Sequence, residues 1–376
     1  MRVLVVNAGS SSLKLTLMDD DDRIVATTTV ERWEGEDDLE PVSRFVEEVD
    51  DVEAVGHRIV HGGPRLTESV PLEDDVLAYL DSIEDLAPLH NPRAVAGIRV
   101  VRQLLPNIPE VACFDTTFHT DLPAAARTYA LPQAWNERWS LRRYGFHGLS
   151  HAHAVRRAAE LVGSDLADLR VVSCHLGAGA SLAAVREGRC VDTTMGFTPV
   201  EGLVMATRSG SVDPGLLLWL LQHGDQSPAG LADVLEHHAG LKGLSGTSGD
   251  LRDVQAARDS GDVDAKLAFE VFIHRLRREI GAMAASAGGL DLLVFTGGIG
   301  EHEPEVRSLG AQGAEHLGAS IDERVNAVTT SDRDISSPDA RARTVVVTAS
   351  EASEIARETR RVLGSPSTHS GPPARD

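Results

Sequence analysis

Four side chains in this sequence have the type and setting for chemistry: Arg58, Asp115, His147 and Arg208. Arg58 lies in Gly56-His57-Arg58-Ile59-Val60-His61-Gly62-Gly63, an arginine at a strand end beside a glycine pair. A guanidinium there suits bidentate binding of a carboxylate or a phosphate, with a surface arginine among structural histidines as the alternative. Asp115 ends the apolar run Val111-Ala112-Cys113-Phe114, where α/β sheets place ligands. It suits orienting an arginine, holding a metal-bound water, or capping. His147 sits in the glycine-bordered loop Tyr144-Gly145-Phe146-His147-Gly148, free to approach a substrate. Arg208 stands in a Gly/Ser loop ahead of Pro214, a second arginine clamp.

Around these lie segments able to cradle phosphates. The turn Asn7-Ala8-Gly9-Ser10-Ser11-Ser12, followed by Lys14, offers bare amides, hydroxyls and a cation. Asn7 adds a carbonyl oxygen suited to a hydrated Mg²⁺. A polar hairpin turn with no ligand is the plain alternative. Phe295-Thr296-Gly297-Gly298-Ile299-Gly300 is a glycine-rich loop at a strand end, permitting close approach of a nucleotide. In Leu86–Pro92, Asn91 and Pro92 make good helix-start chemistry, and His90 precedes them. GxGxxG, GxxxxGK[ST] and HExxH are all absent, so the chain has no P-loop and no such zinc signature. The parts present are those of phosphoryl transfer, which needs positioning and charge neutralisation more than covalent chemistry.

These groups must be positioned by strands and helices. Val3–Val6 and Leu13–Leu17 flank the first turn as a hairpin, and Arg170–Leu176 with Leu182–Val185 repeat that shape half a chain later. The recurrence predicts an internal duplication of a whole domain. Leu292–Phe295 reads as a buried strand. Helical periodicity predicts Leu72–Leu86, Pro92–Leu105, Ala152–Leu161, Pro214–His223, Leu231–His238, Ala265–Ala287 and Glu351–Leu363. Strands mixed with helices give an α/β chain. The acidic run Asp19–Asp22 reads as a solvated turn, and the Ser/Pro/Gly-rich tail from Ser365 as disordered.

The chain has 376 residues, enough for about two domains. Lys plus Arg is 36 against 57 Asp plus Glu, a formal charge of −21 that excludes nucleic-acid binding by bulk electrostatics. No apolar run is long enough to span a membrane, and that at the N-terminus is too short for a secretory signal. Cys113, Cys174 and Cys190 are odd in number and without a CxxC spacing, which fits buried thiols in a reducing cytoplasm.

The order of these motifs resembles the acetate/propionate kinase family of the actin–hexokinase–sugar kinase superfamily. Asn7–Lys14, Gly56–Gly63, Leu86–Pro92, Phe114–His119, Tyr144–His151, Met195–Gly202, Thr207–Pro214 and Phe295–Glu301 carry the likeness from residue 1 to about residue 363. The resemblance implies duplicated ribonuclease-H-like domains with an interdomain cleft. The expected division is 1–119 plus 353–376 for acyl and phosphate binding, and 120–352 for the nucleotide. It implies a cytoplasmic homodimer, and the reaction ATP + acetate ⇌ ADP + acetyl phosphate with Mg²⁺, or Mn²⁺ in its place. Arg58 and Arg208 would hold the carboxylate and the moving phosphoryl, with Asp115 orienting Arg58 or a metal water. His147 and His90 would contact the phosphoryl. Asn7 and Glu351 would flank the metal. Ser10, Ser12, Lys14, His175, Gly177 and Gly179 would meet phosphates. Asp250, Leu251, Arg252, Gly298, Ile299, Gly300 and His302 would surround the nucleotide. Val60, Leu89, Phe146 and Pro199 would receive the acid's methyl group.

The chain also departs from the pattern. Ala178 replaces an asparagine in His175-Leu176-Gly177-Ala178-Gly179, His302 stands where an asparagine is common, and Thr348-Ala349-Ser350 replaces the usual run before Glu351. A lost amide donor can cost ~2.7–4 kcal/mol of transition-state stabilisation. Two other readings follow: a kinase for another short carboxylic acid, propionate-like, and a nucleotide-binding homologue with weakened transfer.

Overall fold

The structure, a computed structural model, describes residues 1–364 except 10, 11, 34, 37, 50 and 89. Ser10, Leu89 and the tail from Ser365 therefore lie outside the described residues. The chain divides into two units, Met1–Thr117 joined by the chain from Glu351, and Phe118–Ser350.

The first unit is built on β1 (Val3–Ala8), β2 (Ser12–Met18), β3 (Ile24–Glu31), β4 (Ala54–Ile59), β5 (Val70–Pro71) and β6 (Glu110–Phe114), in the order β3-β2-β1-β4-β6-β5. The second is built on β7 (Val171–Leu176), β8 (Ala180–Arg186), β9 (Arg189–Thr193), β10 (Leu292–Thr296), β11 (Arg333–Asp334) and β12 (Arg343–Val346), in the order β11-β12-β10-β7-β8-β9. Read from the meander outward, the two orders are the same. In each sheet an antiparallel three-strand meander leads to two parallel strands and one short antiparallel edge. The duplication expected from the two hairpins is thus a duplication of whole sheets.

The central strands are apolar because both faces are covered. β1, β4 and β7 are buried at every position but the fifth, which is partly exposed. That position is Asn7, Arg58 and His175. Since Asn7 pairs with Lys14 and Arg58, and His175 with Ser181 and Thr296, Asn7 and His175 occupy matching places in the two sheets.

Helices cover the faces. In the first unit, Glu40–Glu48 and Asn91–Leu104 enclose a core of Leu4, Val6, Leu15, Trp33 and Phe45. The last helix, Glu351–Gly364, packs on β1, β4 and β6. In the second unit, Gly148–Val162 buries Ala154, Val155 and Ala158 against Val171, Leu292, Val294 and Val345. The 25-residue helix Val263–Ala287 packs on β7, β8 and β9.

Three predicted elements differ. The segment expected as one helix over Leu72–Leu86 is Asp74–Ser82 followed by a separate 3-10 turn, Glu84–Leu86. The glycine-rich segment after β10 is not a loop: Gly297–His302 is a short helix. Gly297, with φ +79°, starts it beneath Leu176, where a Cβ would come within 2.7 Å of the carbonyl oxygen. The segment expected as one helix over Leu231–His238 is Pro228–Asp233 followed by a widened π turn, Val234–His238. The acidic run near Asp19 is an exposed turn, as expected. All three cysteines are free and buried. Among the described residues no helix is long and apolar enough to cross a membrane.

Candidate active site

In the first unit, adjacent parallel strands deliver the charged groups to one sheet end. Arg58, at the fifth position of β4, donates from Nε to Asp115 Oδ1 (3.1 Å) and from Nη2 to Oδ2 (2.7 Å). This is a bidentate pair with the aspartate that follows β6. The Asp115 side chain is 2% exposed, and Arg58 retains 17%. The remaining guanidinium nitrogen, Nη1, donates to Asn7 Oδ1 at 3.2 Å and lies 3.4 Å from Glu351 Oε2. Asn7 Nδ2 donates to the same Glu351 oxygen at 3.1 Å. Burial alone would lower the Arg58 pKa, but Asp115 and Glu351 override it and hold the group above the ordinary arginine range. Arg58 is therefore a fixed cation. Both Asp115 oxygens serve Arg58, so the arginine-orienting reading fits this aspartate better than metal-water binding.

Val60 follows Arg58 and is buried. His90 stands at the turn before Asn91–Leu104 and is partly exposed. Ser12 opens β2, its carbonyl accepting from Gly9 N at 2.7 Å, and Lys14 is exposed opposite Asn7.

In the second unit His147 caps the helix Gly148–Val162 in the left-handed region, with φ +58°. Its ring stacks on His175 at 4.3 Å between centroids. His147 Nδ1 meets Ser181 Oγ at 2.9 Å, and Ser181 Oγ meets His151 Nε2 at 2.8 Å. His151 Nδ1 meets Ser173 Oγ at 2.9 Å, and His175 Nδ1 meets Ser150 Oγ at 2.7 Å. Burial, then His119 and His175, hold His151 well below the usual histidine pKa.

Gly179 shows how close the other parts come. A Cβ there would sit 3.3 Å from Cε1 and Nε2 of His147 and 3.6 Å from Arg208 Nη1. The bare turn thus lies against the His147 ring with the Arg208 guanidinium close by. Arg208 Nη1 reaches the Pro199 carbonyl at 3.5 Å, and no carboxylate pairs with it among the described residues. Burial lowers its pKa, with Glu236 opposing. The Arg208 loop is tied to the π turn: Ser209 N donates to Leu235 O, and Thr207 Oγ1 to Glu236 O. Phe146 is buried, its carbonyl within 3.0 Å of His119 Nε2.

Beside the Gly177–Gly179 turn is a cavity of about 310 Å³. Seven of the predicted nucleotide residues line it: Gly177, Asp250, Leu251, Arg252, Gly298, Ile299 and His302. Asp250 caps the helix Leu251–Asp259 and accepts from Arg252 Nη2 at 2.6 Å, which draws its pKa down to about 2. Gly300 lies behind the wall, against the Phe295 backbone. The apolar walls Met205, Leu241 and Phe272, together with Ala178, Ala206, Gly249 and Glu303, complete the lining. Sequence reading assigned none of these to the nucleotide, because a single apolar residue in a helix, such as Leu241 or Phe272, looks like any other core position. Ser173, Ser181 and His151 were also missed. Their signal was a pair of serines in otherwise apolar strands.

A duplicated α/β fold with a fixed arginine in its first unit, and an arginine, a helix-capping histidine and a nucleotide-sized cavity in its second, carries the parts of a phosphotransferase. The acetokinase family model matches residues 37–357, and the chain belongs to that family. The acetate kinase of Dictyoglomus thermophilum is 42% identical, the alignment covering 97% of this chain and 100% of that protein. That of Thermotoga maritima is 40% identical, over 96% and 99%. Among solved structures, Porphyromonas gingivalis acetate kinase superposes with a TM-score of 0.90 at 35% identity, covering 96% of this chain and 99% of that one. A propionate kinase from Francisella tularensis gives 0.88 at 33% identity, with the same coverage.

Proposed function

We propose that this chain catalyses the reversible reaction ATP + acetate ⇌ ADP + acetyl phosphate. A carboxylate oxygen of the acid attacks the γ-phosphorus, the bond to the β–γ bridging oxygen breaks, and ADP leaves. The observation that carries this reading is Arg58, held bidentate by buried Asp115 with Asn7 and Glu351 alongside. A cation so fixed costs no reorganisation when charge moves, which is how most phosphoryl transfer is accelerated.

Arg58 and Arg208 neutralise the carboxylate and the transferring phosphoryl. Asp115 positions Arg58. His147 donates a hydrogen bond to a phosphoryl oxygen, with His90 a further contact. Ser12, Lys14, His175, Gly177 and Gly179 meet the nucleotide phosphates. Asp250, Leu251, Arg252, Gly298, Ile299 and His302 hold the nucleoside, and Gly300 supports that wall. Val60, Phe146 and Pro199 receive the acid's carbon chain, whose bulk discriminates against longer acids by only ~1–3 kcal/mol per methylene. On this assignment the first unit handles the acyl and phosphate groups and the second the nucleotide.

Mg²⁺ suits the oxygen donors present. Asn7 and Glu351 offer an amide oxygen and a carboxylate on the same side of Arg58, and every hydrogen bond shown at Glu351 uses Oε2 alone. One or two protein oxygens with substrate phosphates are what this ion takes, and Mn²⁺ accepts the same set. Bound there, it would neutralise charge on the nucleotide phosphates. A cytoplasmic location accords with three buried free thiols. A homodimer accords with the helix Pro214–His223, which buries no residue and exposes Leu216, Leu218 and Trp219.

The test is hydroxylamine trapping of the acyl phosphate with Mg-ATP and acetate, propionate or butyrate side by side. The expected result is the strongest signal with acetate. A stronger signal with propionate would move the assignment to the larger acid. ATP binding without trapped product from any acid would overturn transfer altogether.

A further inference from the structure

We infer that Ser181, backed by His151 and Ser173, fixes the tautomer of His147 so that its Nε2 carries the hydrogen. The inference rests on the reading of His147 as a phosphoryl donor, and assigns Ser181 as a positioning residue for that donor.

The argument begins with what one hydroxyl can do. Ser181 Oγ lies 2.9 Å from His147 Nδ1 and 2.8 Å from His151 Nε2. A serine hydroxyl has one hydrogen to donate and lone pairs to accept. It can donate to only one of these two ring nitrogens, and the other must donate to it. Exactly two polarities of the chain satisfy every member. In the first, His147 Nδ1–H donates to Ser181, Ser181 donates to His151 Nε2, and His151 Nδ1–H donates to Ser173. In the second, Ser173 donates to His151 Nδ1, His151 Nε2–H donates to Ser181, and Ser181 donates to His147 Nδ1. His151 is buried and held neutral in both, so it supplies one N–H only.

The polarities differ in what His147 can offer. A Cβ on Gly179 would lie 3.3 Å from His147 Nε2 and 3.6 Å from Arg208 Nη1, so the Nε2 edge of His147 faces the Gly179 turn with the Arg208 guanidinium close by. Phosphoryl oxygens only accept. Under the first polarity a neutral His147 presents a lone pair there, and it becomes a donor only by taking a second proton beside the Arg208 cation and against the stacked His175 ring. Under the second polarity Nε2–H donates with no added charge. The groups facing the His147–His151 pair favour the second. Arg208 from its loop opposes a positive ring, His175 from β7 stacks on His147, Ser181 from β8 bridges, and His119 lies 5.9 Å from His151 across the rings.

Two-bond ¹H–¹⁵N correlation spectra on histidine-labelled protein read the tautomer directly, the His147 signals being assigned with His147→Gln. The expected result is the Nε2–H tautomer in the wild type at neutral pH, and loss of that preference in Ser181→Ala. Activity supplies a second readout. Ser181→Ala should lower kcat about 10- to 100-fold, the usual cost of removing a partner that orients a functional histidine. The KM for ATP should hold, and the remaining rate should fall more steeply as pH rises, because the donor then depends on protonation. Ser181→Thr, which keeps the hydroxyl, should restore most of the rate and the flatter profile. A wild-type His147 found as Nδ1–H or as imidazolium would overturn the inference, as would an unchanged tautomer in Ser181→Ala. If His147→Ala itself keeps the wild-type rate, it is the donor role of His147 that fails.

Discussion

Arg58 and Arg208 are both assigned to charge neutralisation, yet their surroundings differ in a way that a pair of variants separates. Either change to alanine should lower the acyl phosphate rate by about 10²–10³ or more, the usual loss on deleting one preorganised donor. Arg58→Ala also leaves the Asp115 carboxylate buried without its bidentate partner, which costs about 3–5 kcal/mol of stability. Arg208 pairs with no carboxylate among the described residues, so Arg208→Ala should melt within about a degree of the wild type. Near-normal rates in either variant would remove its assigned role. Ala178 poses the opposite case. It lies exposed on the cavity wall, and its carbonyl is already held by Ala206 N at 3.0 Å. Ala178→Asn places an amide donor on an unaltered backbone and should raise kcat in the same trapping measurement. An unchanged or lower rate would mean the site has compensated elsewhere. At this scale the residues themselves displayed types but not partners, and Asp115 was joined to Arg58 only through the family resemblance. Arg58 and Asp115 were each legible at a strand end, whereas their ion pair needed the parallel register of β4 and β6. Ser181 looked like the last small residue of a turn until strand pairing set it opposite His175.

The helix Glu351–Gly364 carries Glu351 to the Arg58 cluster by packing on β4, where Gly56 leaves room for Ile355 and Thr359. A Cβ on Gly56 would lie 2.6 Å from Ile355 Cγ2 and also strike Thr359 Oγ1. Gly56→Ala should therefore push the helix outward, at about 1–3 kcal/mol for overpacking. It should lower the melting temperature and weaken activity together. A variant that melts like the wild type would show that the helix is not held this tightly. Elements of this kind were largely readable in advance. The hairpins follow from alternation and small-residue turns, and Pro214–His223 has the predicted bounds. The helix Gly297–His302 was not, because three glycines in six residues argue against helix on propensity. It forms because β10 ends beneath Leu176, where only a residue without a Cβ fits. The π turn Val234–His238 is likewise a tertiary outcome, its carbonyls turned to receive the Arg208 loop.

Two properties belong to the molecule as a whole. The first is association. Leu218 and Trp219 are 60% and 54% exposed on a helix with no buried face, a contiguous apolar surface of the kind that marks an interface. On the homodimer proposed above, Leu218→Glu should shift the protein from dimer to monomer in light scattering after gel filtration. A wild-type protein that is monomeric at micromolar concentration would dismiss the homodimer. The second is acid stability. Burial pushes both His61, in the first unit, and His119, in the second, down to about 4, and lowers His151 as well. An unfolded histidine titrates near ~6.5. Between that value and about 4 the unfolded chain binds protons that the folded chain refuses, so stability rises with pH across this window. The stabilisation is fully present above ~6.5 and is lost as pH falls toward the folded values. A displacement of that size is worth roughly 3 kcal/mol per histidine at the acid end. The melting temperature should therefore be level near neutral pH and fall steadily from pH ~6.5 to ~4.5, before most carboxylates titrate. His119→Gln removes one of these groups and should flatten that slope, even though it costs stability at neutral pH. A melting temperature level down to pH ~4.5 would mean that these histidines gain water and protons without unfolding, and that the cores around them open locally.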